Sequence, residues 1–235
     1  MTPSHRPLFG GSRAWNPSDW TTSDDRVRGG SSISTLICSP SSLTAIFSGN
    51  LDIKTLGGAG FASQRTSGED RTWDLSDYDG IELVLDGRLM DGKFYTLTLK
   101  DEILPKRSDG REQSTVSWEF DFKATEEKLF VRFSDLRPTY RGREKRDVEP
   151  LDLKNIKRFG IMMRSFFGDQ EGPFELGIVS ISGLRLDKHS AQADSIHRDE
   201  EDEDEEIFDE KDVAWGRKRR SGWFSWLSSC LGCRS

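Results

Sequence analysis

The chain has 235 residues, with 34 Lys and Arg against 41 Asp and Glu and a formal net charge of -7; it is long enough for one substantial domain plus a tail. From Asp187 onward there are 8 basic and 13 acidic residues, which leaves 26 and 28 in the preceding body; this near-neutral body lacks the basic field that nucleic acid requires, so no nucleic-acid partner is expected. The cysteines are Cys38, Cys230 and Cys233, so no disulfide can close inside the body, and no stretch approaches the ~20 apolar residues of a membrane-spanning helix.

Residues 1–7 read as a flexible N-terminus. The first fourteen residues carry Arg6 and Arg13 and no acid, as a transit peptide would. They also carry Pro3, Pro7, Gly10 and Gly11, which break an amphipathic helix, so a short extended lead-in is expected. There is no apolar run of signal-peptide type, and Asn16-Pro17-Ser18 has proline in the position that blocks glycosylation, so secretion is not expected.

Strands are expected at 33–37, 43–47 and 60–65, with a turn at Ser48-Gly49-Asn50. Gly57-Gly58-Ala59-Gly60 is not a nucleotide loop, because Ser63 stands at the third glycine position and the P-loop lysine is missing; a turn or bulge before Phe61 is the reading. Asp74 to Gly80 lacks the EF-hand order and reads as Asx-turns leading into a strand at 81–85.

After the turn at Asp91-Gly92, residues 94–100 alternate Tyr95, Leu97 and Leu99 against Thr96 and Thr98. In 115–122, Val116, Trp118, Phe120 and Phe122 alternate with Ser117, Glu119 and Asp121, which predicts a core face and a solvent face. Strands at 128–133, 159–163 and 174–181 follow, with one helical turn at 152–155. Many short strands with frequent turn signals and no long helical period predict an all-β antiparallel sandwich.

Residues 137–146 form the most unusual loop, with Arg137, Arg141, Arg143, Lys145 and Arg146 around Tyr140. Arginine and tyrosine suit a docking surface. The plainer alternative pairs these cations with Asp135, Glu144, Asp147 and Glu149.

His5, His189 and His197 all lie outside the predicted sandwich, which excludes a Ser-His-Asp or Cys-His site inside it. Cys38 stands alone, so a zinc site of His and Cys is not expected and no cofactor is assigned; a calcium ion on the sandwich rim is the lesser alternative to the Asx-turns at Asp74 to Gly80. Asp74, Asp77, Asp79, Glu119 and Asp121 are carboxylates of the kind glycoside chemistry uses, but their positions fit turn formers and solvent-facing strand residues. No catalytic residue is assigned.

Two tail segments are distinguished. Residues 187–214 contain the unbroken acidic run from Asp199 to Glu206 and read as a disordered linker. Residues 215–235 hold Arg217, Lys218, Arg219 and Arg220, then Trp223 and Trp226, then Cys230 and Cys233. Basic residues at anionic lipid, tryptophans at the interface and S-acylated cysteines would give peripheral membrane association. A nuclear-import-like cluster or a tail that fills a protein groove are the alternatives.

Three blocks carry a family resemblance: Trp73-Asp74-Leu75-Ser76-Asp77-Tyr78-Asp79-Gly80-Ile81; Phe133 to Arg143; and Arg164-Ser165-Phe166-Phe167-Gly168 running into Gly172-Pro173-Phe174-Glu175-Leu176. Phe47 to Leu51 and Gly58 to Ser63 add to it. In order and spacing the chain from about Leu8 to Leu184 resembles the complex I intermediate-associated protein 30 family. The resemblance implies a galactose-binding-domain-like jelly-roll over residues 8–186, related to carbohydrate-binding modules. It also implies a non-enzymatic, chaperone-like role in which unassembled subunits of mitochondrial respiratory complex I are bound as protein clients. The tail is not part of the family pattern, and the lead-in leaves a cytoplasmic or membrane-peripheral location open beside the mitochondrial one. Two functional alternatives remain, a glycan-binding module with Trp118 or Trp73 stacking on sugar and a membrane-tethered adaptor.

Overall fold

The computed structural model describes residues 4–38, 43–108 and 110–186. The described residues build a jelly-roll β-sandwich of two antiparallel sheets. In chain order the strands are β1 (Ser4–Gly10), β2 (Trp20–Thr22), β3 (Ile33–Cys38), β4 (Ala45–Leu51), β5 (Phe61–Thr66), β6 (Gly80–Met90) and β7 (Phe94–Lys100). They continue with β8 (Ser117–Lys123), β9 (Lys128–Arg132), β10 (Arg137–Tyr140), β11 (Arg143–Glu144), β12 (Arg158–Arg164) and β13 (Gly172–Arg185).

The first sheet runs β3-β4-β13-β6-β9, with β1 added along the second half of β13. The second runs β11-β10-β8-β7-β12-β5-β2. Alternation decides the faces. Tyr95, Leu97 and Leu99 of β7 and Phe159, Ile161 and Met163 of β12 are almost wholly buried, and they meet Phe47, Leu83, Leu176 and Ile181 of the other sheet in one core. Phe9, Trp15, Trp20, Trp73 and Phe159 form an aromatic cluster at one end of this core.

Several expectations are corrected. Residues 4–7 are not free, because β1 pairs Ser4 with Arg185 and His5 with Leu184. His5 therefore belongs to the sandwich, with Nδ1 3.3 Å from Glu82. Lys128 meets the same carboxylate at 3.1 Å. Ser48-Gly49-Asn50 is not a turn; β4 runs through it, and Gly49 is needed because any Cβ would lie 2.0 Å from the Ile33 carbonyl oxygen. Residues 137–146 are not an irregular loop, since β10 and β11 form a hairpin on the edge of the second sheet. Phe120 faces inward but is only half-buried, at a shallow groove with Leu85, Phe122 and Leu129.

The expected helical turn is a 3-10 turn at Leu153–Asn155, capped by the Asp152 carboxylate, which accepts from the Lys154 backbone N–H at 3.0 Å. Asp74 makes the expected Asx-turn, accepting from the Ser76 backbone N–H at 3.0 Å and its hydroxyl at 2.7 Å.

Candidate functional site

Strand register assembles a charged outer face on the second sheet. Arg65, Gly160, Thr98, Glu119 and Arg137 lie in one row across β5, β12, β7, β8 and β10. Beside them lie Met162, Thr96 and Asp121 on one side and the paired Arg158 and Lys100 on the other. Side chains of opposed residues in an antiparallel pair share a face, so residues far apart in the chain become neighbours.

Arg164 is the centre of one ion cluster. Its Nη1 is 2.9 Å from Glu119, its Nη2 bonds Asp121, and Asp121 also accepts from the Thr96 hydroxyl at 2.6 Å. Glu119, expected to face solvent, is only 8% exposed because of this cover. Asp121 and Glu119 are thus held in ion pairs rather than presented as catalytic carboxylates.

A second cluster is richer in cations. Glu112, from the 101–116 connection between β7 and β8, places one oxygen 2.6 Å from Arg65 and the other 2.9 Å from Arg158. Lys100 lies in the same group and donates to the Thr115 hydroxyl at 3.1 Å. Burial, followed by the charge of Arg158, lowers the pKa of both Lys100 and Arg65. The Nε atoms of Arg65, Arg158 and Arg164 are buried without hydrogen-bond partners.

The β10–β11 hairpin holds the residues singled out from sequence. Arg137 opposes Glu119, Thr139 opposes Glu144, and Tyr140 opposes Arg143. Tyr140 is exposed, with Arg141 5.3 Å and Lys145 5.5 Å from its ring centroid. Arg141 sits in the left-handed region at φ 54 and its Nε donates to the Ser114 hydroxyl at 3.3 Å. Of the proposed charge pairs only Arg146 with Glu144 forms, at 3.6 Å. Among the described residues Arg137, Arg141 and Arg143 have no carboxylate within ion-pair distance.

A feature not found from sequence lies at the end of the same face. Phe166 and Phe167 follow β12 and both take positive φ, 45 and 63. Such backbone is costly outside glycine and concentrates at functional sites. The Ser165 carbonyl accepts from Gly168 and Asp169, and the Gln170 side chain clamps Phe94 and Arg164 through their carbonyls at 2.8 and 2.7 Å. Phe166 packs between Phe94 and the Arg164 guanidinium, and Phe167 is left 94% exposed. The signal was present in the block Arg164 to Gly168, but no periodicity distinguishes an outward from an inward phenylalanine.

The two tryptophans considered for sugar stacking are in the core. Trp118 is 8% exposed and Trp73 7%, with Trp73 against Phe159 at 5.2 Å. Neither presents a ring face to a ligand. Among the described residues no group of three or more His, Cys, Asp or Glu is placed to hold a metal ion, and no helix is long and apolar enough to cross a membrane. The tail residues Arg217, Lys218, Arg219, Arg220, Trp223, Trp226, Cys230 and Cys233 lie outside the described residues.

These features define a galactose-binding-like jelly-roll with a charged, aromatic-rimmed face. The chain belongs to the complex I intermediate-associated protein 30 family, whose model matches residues 9–178. That family is associated with complex I assembly. A relative in Schizosaccharomyces pombe, the uncharacterized protein C9E9.15, is 44% identical over 184 residues, covering 75% of this chain and 83% of its own length. Among solved structures, the family 11 carbohydrate-binding module of the Clostridium thermocellum cellulase Lic26A-Cel5E is similar in fold, with TM-score 0.50, 14% identity, and 80% of this chain and 99% of that one covered. The same family's module from C. thermocellum in complex with a mixed-linked tetrasaccharide has TM-score 0.48 and 15% identity, covering 77% of this chain and 95% of that one.

Proposed function

We propose that this protein is a non-enzymatic assembly factor that binds unassembled complex I subunits through its second sheet and the β10–β11 hairpin at that sheet's edge, and that it acts in mitochondria. The family supplies the process. The observation that carries the mode of action is the β10–β11 hairpin, where exposed Tyr140 is flanked by two cations while Arg137, Arg141 and Arg143 are not neutralised by described carboxylates. Tyrosine and arginine contribute most binding energy at protein interfaces, and a surface arginine can be lost at little cost to the fold. Phe167, after β12 of the same sheet, adds an exposed apolar side chain on left-handed backbone. Burial of Trp73 and Trp118 removes the two rings considered for sugar stacking, which favours the protein-binding reading over the glycan-binding one.

Affinity purification of the tagged full-length chain from mitochondria tests the role. Recovery of individual complex I subunits or subassemblies is expected. Their consistent absence, with the bait folded and abundant, would reject it.

A further inference from the structure

We infer that Arg65, Lys100 and Arg158 form a carboxylate-binding site on the second sheet, that Glu112 fills it from within the chain, and that an acidic side chain of a protein partner takes its place. The inference rests on the reading that this face binds protein.

Three observations converge. First, the cations outnumber the acid. Arg65 and Arg158 share the single Glu112 carboxylate, and Lys100 beside them donates to the Thr115 hydroxyl and, among the described residues, pairs with no carboxylate. Cations that repel one another are rarely packed together unless an anion compensates them. Second, the donor capacity is not used up. The Arg158 side chain is 8% exposed, and its Nε, like that of Arg65, is buried without a partner. A buried donor without a partner is costly, so a further acceptor in this cluster would relieve that cost. Third, the occupant comes from the long connection at residues 101–116, not from the sheet. The Glu112 side chain is 35% exposed, whereas Arg158 is embedded in β12. The sheet fixes the receptor, and the loop brings the ligand group.

The chemistry of the occupant is given by Glu112 itself. Two guanidinium groups hold the two oxygens of one carboxylate, and guanidinium donors suit oxyanions. A partner's Asp or Glu presents the same group. Displacement exchanges one ion pair for another, so Glu112 sets a threshold that only a partner with further contacts on this face would pass.

The test uses the full-length chain and a capped tetraglutamate peptide, titrated at low salt by calorimetry, with inorganic phosphate as the second probe. Glu112→Gln removes the internal anion. Asp77→Asn makes the same charge change at an exposed position that makes no ion pair. Glu112→Gln is expected to bind the peptide about tenfold more tightly than wild type, because the competing internal carboxylate that bridges Arg65 and Arg158 is removed. Asp77→Asn is expected to match wild type, and Arg65→Gln added to Glu112→Gln is expected to abolish the gain. If Arg65→Gln lowers the melting temperature, Arg65→Lys replaces it, keeping the charge and losing the fork. Equal affinities for Glu112→Gln and Asp77→Asn would overturn the site in favour of a general field. Phosphate binding tighter than peptide would overturn the partner carboxylate in favour of a free oxyanion. Because no complex I subunit enters this titration, its failure would leave client binding through the hairpin standing.

Discussion

Asp24 and Asp25 are adjacent in the chain, and their buried carboxylates bridge the same two strands at successive positions. Asp24 accepts from the Ser34 hydroxyl at 2.6 Å, the Ser34 backbone N–H at 3.0 Å and the Ser63 backbone N–H at 2.8 Å. Asp25 accepts from the Ser32 backbone N–H at 3.0 Å, the Ser32 hydroxyl at 2.6 Å and the Phe61 backbone N–H at 3.1 Å. Each thereby ties β3 or its approach, in the first sheet, to β5 in the second. Gly60 completes the clip, since a Cβ there would lie 2.3 Å from the Asp52 carbonyl oxygen.

Asp25→Ala is therefore expected to cost about 3 kcal/mol, because three donors, two buried and one partly buried, lose their acceptor at once. Chemical denaturation of the variant measures it. A loss below about 1 kcal/mol would mean that water or a neighbour takes over the three donors.

The two faces of the core give unequal costs. Phe159 is wholly buried against Phe9 and Trp73, and Phe159→Ala is expected to lose about 3–5 kcal/mol. Phe120 borders the groove, so Phe120→Ala is expected to lose about 1–2 kcal/mol. Equal losses would show that the groove beside Phe120 closes in solution.

Acid sensitivity has a traceable contribution at Asp86. Its carboxylate accepts from the Arg88 Nε at 2.9 Å, Nη2 at 2.8 Å and backbone N–H at 3.1 Å. The Arg88 side-chain bonds, then its backbone bond, hold the carboxyl down to about 2. The folded pKa lies below the unfolded one. The stabilisation is then present above about pH 4 and lost as pH falls toward about pH 2. Asp86→Asn should flatten the stability curve across that window. An unchanged slope would remove Asp86 from the acid response.

Phe167→Gly separates exposure from packing. The wild-type ring is 94% exposed on left-handed backbone, which glycine adopts without strain. The melting temperature is expected to hold or rise while recovery of complex I subunits falls. A fall in melting temperature would show that the ring packs on the domain.

The core strands are legible in the sequence because one face is apolar and the other polar. The alternation of Tyr95, Leu97 and Leu99 with threonines over residues 94–100 coincides with β7. β10 was not legible. Arg137-Pro138-Thr139-Tyr140 has no alternation, and it becomes a strand by pairing with β8 and β11. β1 was hidden by Pro7 and Gly10, which break helices but are tolerated beside a bulge, and the β1–β13 register shifts between Pro7 and Phe9. The hairpin arginines could be named from local composition. The cluster of Arg65, Lys100, Arg158 and Glu112 could not, because its members come from four distant segments that only strand register brings together.

Client recovery with the hairpin disarmed tests the account most directly. The full-length chain carrying Arg137→Ser, Arg141→Ser and Arg143→Ser is purified from mitochondria beside wild type, with thermal unfolding measured on both. The three side chains are exposed, so the melting temperature is expected to stay within a few degrees, while complex I subunits fall about tenfold or more relative to bait. Undiminished recovery of the same subunits by the folded triple variant would contradict client binding through this hairpin.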